Sequence, residues 1–310
     1  MSNISQFFKS GQSGLAPGRN NRRIYASPGP YTFVAPPTTT EVEIHCWGAG
    51  GGTNGAGGGG GGGGGYARYI WDTTGGESFA LSVGAGQSPS ATGSAGGTTS
   101  AVCPSQSPGS PIQATGGSKA ADFPSYNGGA GGVGSGTVPS PRSSFLITSN
   151  GGAGGSASTL ISEPFAGGGG GGAGSYYGPG GNGSPYVNAT IGGGGGSTLT
   201  AANTREGAPG HFYPVDAAGW YFVEELVGGD GGAGANGFPA SSPLNGDAGH
   251  GGFLAGGGGA NMVPDQPSLD SAEKGGNGGI AGGGGGSRSN PNILTNGGAG
   301  GTGLIIVYYN

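Results

Sequence analysis

Apolar and polar residues alternate with a period of two along several short stretches of this chain. Val42, Ile44 and Cys46 interleave with Glu43, His45 and Trp47, and Phe79, Leu81 and Val83 interleave with Ser78, Ala80 and Ser82. That spacing predicts half-buried strands, because successive strand side chains point to opposite faces. Tyr31 to Val34, Tyr66 to Trp71 and Trp220 to Val223 are aromatic-rich stretches of similar length, and Leu304 to Tyr309 reads as a buried strand. Pro36-Pro37 and Thr73 to Gly76 supply turns between them. No window sustains a helical period, so the expectation is an antiparallel, all-β protein with very little α-helix. The short exception is Ile4, Phe7 and Phe8, spaced i, i+3, i+4 ahead of the Gly/Pro-containing stretch Gly11 to Gly18. It reads either as a docking motif on a tether or as a frayed terminus.

Beyond Cys103 the pattern gives way to glycine. Uninterrupted runs, the first of them ahead of Cys103, occupy Gly57 to Gly65, Gly167 to Gly172, Gly192 to Gly196, Gly256 to Gly259 and Gly282 to Gly286, and glycine supplies 85 of 310 residues. Collagen would need glycine strictly at every third position, which consecutive glycines break. Disorder would bring few aromatics and a high net charge, whereas this chain has 12 Tyr, 11 Phe and 3 Trp and only 8% charged residues. Glycine here reads as a building material. Ordering it costs roughly 0.5–1 kcal/mol per residue relative to alanine, and no side chain offsets that cost by burial. A left-handed extended helix with three residues per turn lets neighbouring segments pair their N–H and C=O groups and add Cα–H···O contacts. A Cβ facing a neighbour would force the backbones apart. The sequence Asn-Gly-Gly-Ala-Gly-Gly, beginning at Asn127, Asn150 and Asn296, recurs without fixed spacing. That recurrence suggests parallel rods joined by variable loops, where a solenoid would keep a constant repeat length.

Charge and cysteine content narrow the function classes. A net charge of −5 offers no basic stripe for nucleic acid, and Lys9, Arg19, Arg22 and Arg23 read as a locally positive, solvated arm. No signal-peptide h-region and no membrane-spanning stretch is visible, so the expectation is a protein made in the cytoplasm and not inserted in a membrane. Cys46 and Cys103 are too few for a disulfide scaffold and are expected to be isolated buried thiols, although pairing across two strands stays open. Gly-Lys-Ser/Thr and Gly-x-Ser-x-Gly motifs are missing. His45, His211 and His250 lack metal-ligand spacing and read as surface or strand histidines. No enzymatic function, cofactor or metal is expected.

Several strings together carry a resemblance. Tyr31 to Pro36, Glu41-Val-Glu-Ile-His-Cys-Trp-Gly-Ala-Gly-Gly-Gly52, Gly65-Tyr-Ala67, Leu81 to Gly86, Gly96 to Ser100 and Gly300 to Tyr309 resemble the glycine-rich domain of many phage tail-fibre and virion surface proteins. The resemblance spans about Tyr31 to Asn310. It implies a small β-sandwich, with strands at about 31–103 and 304–309, joined to a packed bundle of polyglycine II helices with variable loops. Residues 1–30 would then form a virion-attachment segment, with Ile4, Phe7 and Phe8 as its contact candidates, and 31–310 the glycine-rich domain. A similar module occurs in some receptor kinases, but no kinase or transmembrane segment accompanies it here. The implied setting is a virion, with other fibre, baseplate or capsid proteins as partners and a host surface glycan or outer-membrane protein as receptor. Trimers are common among phage fibres, yet no coiled-coil heptad specifies a homotrimer here.

Loop aromatics bounded by glycine present flat faces and hydroxyls suited to glycans or surface proteins. Tyr176, Tyr177 and Tyr186 flank Gly178 to Gly181, and His211, Phe212 and Tyr213 precede Trp220 to Phe222. These six are the receptor-binding candidates; either group would serve equally to cover the bundle or to pack against another subunit. Two other readings compete with an adhesin. One is a head or tail decoration protein without a receptor, and the other is a cellular glycine-rich filament protein.

Overall fold

The structure is a computed structural model that describes residues 21–53, 58–88, 95–106, 111–121, 125, 127–137, 145–157, 167–176, 178–183, 251–252, 254–257, 275–286 and 297–310. Ten strands are present among the described residues: β1 (Asn21–Tyr25), β2 (Gly29–Val34), β3 (Glu41–Trp47), β4 (Tyr66–Asp72), β5 (Ser78–Val83), β6 (Thr99–Val102), β7 (Ile112–Ala114), β8 (Gly134–Gly136), β9 (Ile147–Ser149) and β10 (Leu304–Tyr309). No α-helix occurs among the described residues, and none of their segments is a helix long and apolar enough to cross a membrane. Every pairing is antiparallel. Strands therefore extend beyond the expected intervals, beginning ten residues earlier at Asn21 and continuing past Cys103 into β7, β8 and β9.

Two five-stranded sheets result. Sheet A has the order β1-β10-β3-β4-β9 and sheet B the order β2-β5-β6-β7-β8. Their facing sides share one core, with Val42, Ile44, Cys46, Ile305 and Val307 from sheet A and Phe33, Phe79, Leu81, Val83 and Ile112 from sheet B. Each fully buried Ile, Leu or Phe contributes about 2 kcal/mol to holding the sheets together. β5 follows the expected alternation, with Phe79, Leu81 and Val83 buried and their neighbours exposed. β3 departs from it. Residues Val42 to Trp47 are all buried, because the outer face of sheet A is covered as well.

Glycine tracts provide that cover. Leu254, Ala173 and Ala281, which sit in or between tracts, pack with Trp47, Tyr66, Leu304, Ile306 and Tyr308 of sheet A in a second buried cluster. Leu254 and Ala281 adopt φ of 58° and 59°, where a Cβ costs about 1–2 kcal/mol. Each lies in a tight reversal, closed by Ala255 N to Gly252 O at 3.1 Å and by Gly282 N to Gly279 O at 2.9 Å. Both side chains are fully buried, so packing against sheet A offsets the backbone strain.

Hydrogen bonding among the tracts follows a period of three. Gly60 and Gly63 donate to Gly155 and Gly152, Gly61 and Gly64 to Gly284 and Ala281, and Gly62 and Gly65 to Ser118 and Thr115. The carbonyls of the same six residues accept from Gly129 and Gly132, from Gly171 and Gly174, and from Gly51 and Gly48. One six-residue stretch thus addresses six neighbouring segments, some antiparallel to it and some parallel. A Cβ on Gly60, Gly62 or Gly63 would overlap the carbonyl of Gly169, Ala130 or Gly172, respectively. Outer tracts follow a related rule. In 127–133, Asn127, Ala130 and Val133 are exposed while Gly129 and Gly132 are buried. The copy of Asn-Gly-Gly-Ala-Gly-Gly that begins at Asn127 therefore places its one non-glycine residue per three away from the neighbours.

Candidate functional site

The outer face of sheet A carries a polar network that pairing register brings together. Alternation places Glu43, His45 and Trp47 of β3 on one face; Trp47 pairs with Tyr66 and His45 with Arg68 of β4, and Tyr308 of β10 pairs with Glu43. Within this group the Glu43 carboxylate accepts from Arg68 Nε and, at 2.9 Å, from His45 Nε2. His45 Nδ1 lies 2.8 Å from the Tyr66 hydroxyl. A carboxylate only accepts, so Nε2 carries a proton, and in the neutral ring Nδ1 accepts from Tyr66 O–H. Glu43, His45 and Tyr66 are 6%, 3% and 0% exposed. Aromatic rings enclose them: Trp47 stacks on His45 with centroids 5.8 Å apart, and Tyr308 meets His45 edge-on at 5.4 Å.

Burial works to raise the Glu43 carboxyl, but the hydrogen bonds and charges of His45 and Arg68 outweigh it and hold the group at about 2. Burial pushes the Tyr66 hydroxyl well above its ordinary range. On the opposite face of β3, burial likewise raises the Cys46 thiol. Cys46 and Cys103 are both buried and unpaired. Among the described residues no group of three His, Cys, Asp or Glu is placed to hold a metal ion.

At Arg68 the network approaches the surface. The Arg68 guanidinium lies 5.4 Å from the centroid of the Tyr176 ring, a cation–π contact, and Tyr176 is 43% exposed. The turn that carries Tyr176 is closed by reciprocal bonds between Ser175 and Gly178, at 2.9 and 3.2 Å. Ser149 Oγ of β9 donates to Ser175 O at 2.6 Å and fixes the turn to the edge of sheet A. Phe145, just ahead of β9, is 42% exposed. The arrangement holds an aromatic ring beside the edge of sheet A, with the Arg68 guanidinium over it. Tyr66 and His45 are enclosed and tie β4 to β3.

Of the residues singled out from sequence, Tyr176 is placed at this edge. Tyr177, Tyr186, His211, Phe212, Tyr213, Ile4, Phe7 and Phe8 lie outside the described residues. His45 is a buried strand residue with a defined role, and not a surface one. Glu43, Tyr66 and Arg68 were not singled out, although their alternation with apolar neighbours put Glu43 on the same face as His45 and Tyr66 on the same face as Arg68.

Residues 26–213 match the glycine-rich domain family, well over half of the chain. The chain belongs to that family. No curated protein matches the sequence. The glycine-rich domain match runs from just before β2 through β9 and the Tyr176 turn, so it includes both sheets' central strands. β1 and β10 lie outside the matched interval, yet they complete sheet A.

Proposed function

We propose that the glycine tracts are polyglycine II helices packed as a bundle, and that the protein is a bacteriophage virion component, a tail fibre or adhesin that displays loops to the host surface. The three-residue period of the hydrogen bonds and the six neighbours of Gly60 to Gly65 support the helical reading. In such a helix the backbone groups point outward in three directions, and side-by-side packing satisfies them without side chains.

The observation that carries the functional reading is the two-ended layout. β10 enters sheet A from the tract at Gly303 and pairs Tyr309 with Asn21 of β1, so Asn21 lies at the end of sheet A away from the tracts. Thr53, Gly155, Gly168, Gly286 and Gly298 lie towards the other end, each tied to tracts several hydrogen bonds out from the sheets. One end is therefore suited to attachment to fibre, baseplate or capsid proteins, and the other to presentation. The described tracts pair with one another through their own backbone groups, which frees the sequence of the connecting loops for recognition of a host glycan or outer-membrane protein. The role is non-enzymatic.

Electron microscopy of virions labelled with an antibody to this protein, with copy number measured on the same particles, tests the reading. Label at distal fibres in few copies, together with inhibition of adsorption by the purified protein, is the expected result. Label over the head or tail tube in many copies without inhibition would make it a decoration protein, and absence of label would remove the virion reading.

A further inference from the structure

We propose that the β1–β10 pair is a shear clamp through which tension on the N-terminal segment passes into the body of the protein. The inference deepens the attachment role proposed above for that segment. Among the described residues β1 pairs with β10 alone, over five residue pairs from Asn21↔Tyr309 to Tyr25↔Ile305. β10 in turn pairs over six positions with β3, and Leu304 to Val307 are fully buried. Asn310 ties the far end of β10 to the start of β3, with Oδ1 accepting from Thr40 N at 2.9 Å and Nδ2 donating to Thr40 Oγ1 at 2.7 Å.

The direction of the strands decides how this pair fails. Tension applied before Asn21 pulls β1 away from the tracts, while the tracts hold β10 from Gly303 at the opposite end of the overlap. All five pairs are then loaded together. Ile24, packed in the cluster under sheet A, and Tyr25, packed on the inter-sheet core with its ring 5.0 Å from that of Tyr31, add to the resistance. The next element is arranged differently. β2 begins at Gly29, opposite Val83, and both strand ends at that pair lie on the tract side. Once β1 is free, the same tension peels β2 from β5 one pair at a time. The barrier to extraction therefore sits in the first five residues of sheet A.

Optical tweezers on the full chain separate this from a passive edge strand. One handle is placed at the N-terminus and the other either on an Asn127→Cys variant or at the C-terminus. Asn127 is exposed at the outer part of its tract, and both native cysteines are buried, so labelling is selective. The first geometry shears β1 against β10; the second unzips it, because Asn21 and Tyr309 are neighbours. The expected result is a first rupture that releases the length of β1 in both cases, at a force several times higher in the shear geometry. Equal forces in the two geometries, or a first rupture that releases tract length with β1 still paired, would overturn the proposal. Either outcome is independent of whether the protein is found on a virion.

Discussion

Glu43 is the residue on which the outer face of sheet A depends, since it is the acceptor for both Arg68 and His45. Its carboxyl is held at about 2 in the fold against an ordinary value of 4.5, so the folded state favours the ionised form. That stabilisation is present above pH 4.5 and is lost as pH falls through about 2, amounting to about 3 kcal/mol at most. Chemical denaturation at a series of pH values is expected to show this decline in the wild type and its absence in Glu43→Gln. Leu254 and Ala281 set backbone strain against burial in different proportions. Ala281→Gly relieves about 1 kcal/mol of strain and loses about 0.8 kcal/mol of methyl burial, so its unfolding midpoint should barely move. Leu254→Ala keeps the strain and loses the packing, and a loss of about 3 kcal/mol is expected.

Among the elements, strands and tracts obey different steric rules. In the inner tract any Cβ meets a backbone carbonyl that cannot move without displacing its own tract. Gly63→Ala is therefore expected to destabilise by more than about 3 kcal/mol, at or beyond the upper end of ordinary overpacking. Ala130→Ser, on the outward position of an outer tract, is expected to stay within about 0.5 kcal/mol. Thermal unfolding of the two variants checks both. The same contrast explains what was legible in the sequence. β2, β3, β4, β5 and β10 announce themselves through alternation or aromatic content. The repeated Asn-Gly-Gly-Ala-Gly-Gly already contained the three-residue period. β7, β8 and β9 are three residues each, too short to show any period, and β1 is disguised by Arg22 and Arg23. All-glycine runs carry no pattern at all, so the six neighbours of Gly60 to Gly65 could not be assigned. The Glu43 network was hidden for another reason: its partners depend on the register of β3 with β4, which alternation alone does not specify. Tyr176, an aromatic bounded by glycine, is conspicuous in the sequence, whereas its contact with Arg68 depends on the fold.

At the scale of the molecule, two unlike materials are joined through one sheet. Sheet B and the inner face of sheet A form a conventional apolar core; the outer face of sheet A rests on tracts held almost wholly by backbone hydrogen bonds. The joint is made by Trp47, Tyr66, Leu304, Ile306 and Tyr308 against Ala173, Leu254 and Ala281. Because β3, β4 and β10 continue directly into tracts, loss of either half exposes the other, and the two should unfold together. Glycine without side chains is here as ordered as the strands it adjoins. Residue-resolved amide hydrogen exchange on the full chain tests it most directly. The amides of Gly60 to Gly65, each donating to a neighbouring tract at 2.7–3.0 Å, are expected to exchange as slowly as those of β3 and β10, at the rate set by global unfolding. Exchange of those amides near the rate of an unstructured peptide, with β3 and β10 still protected, would contradict it.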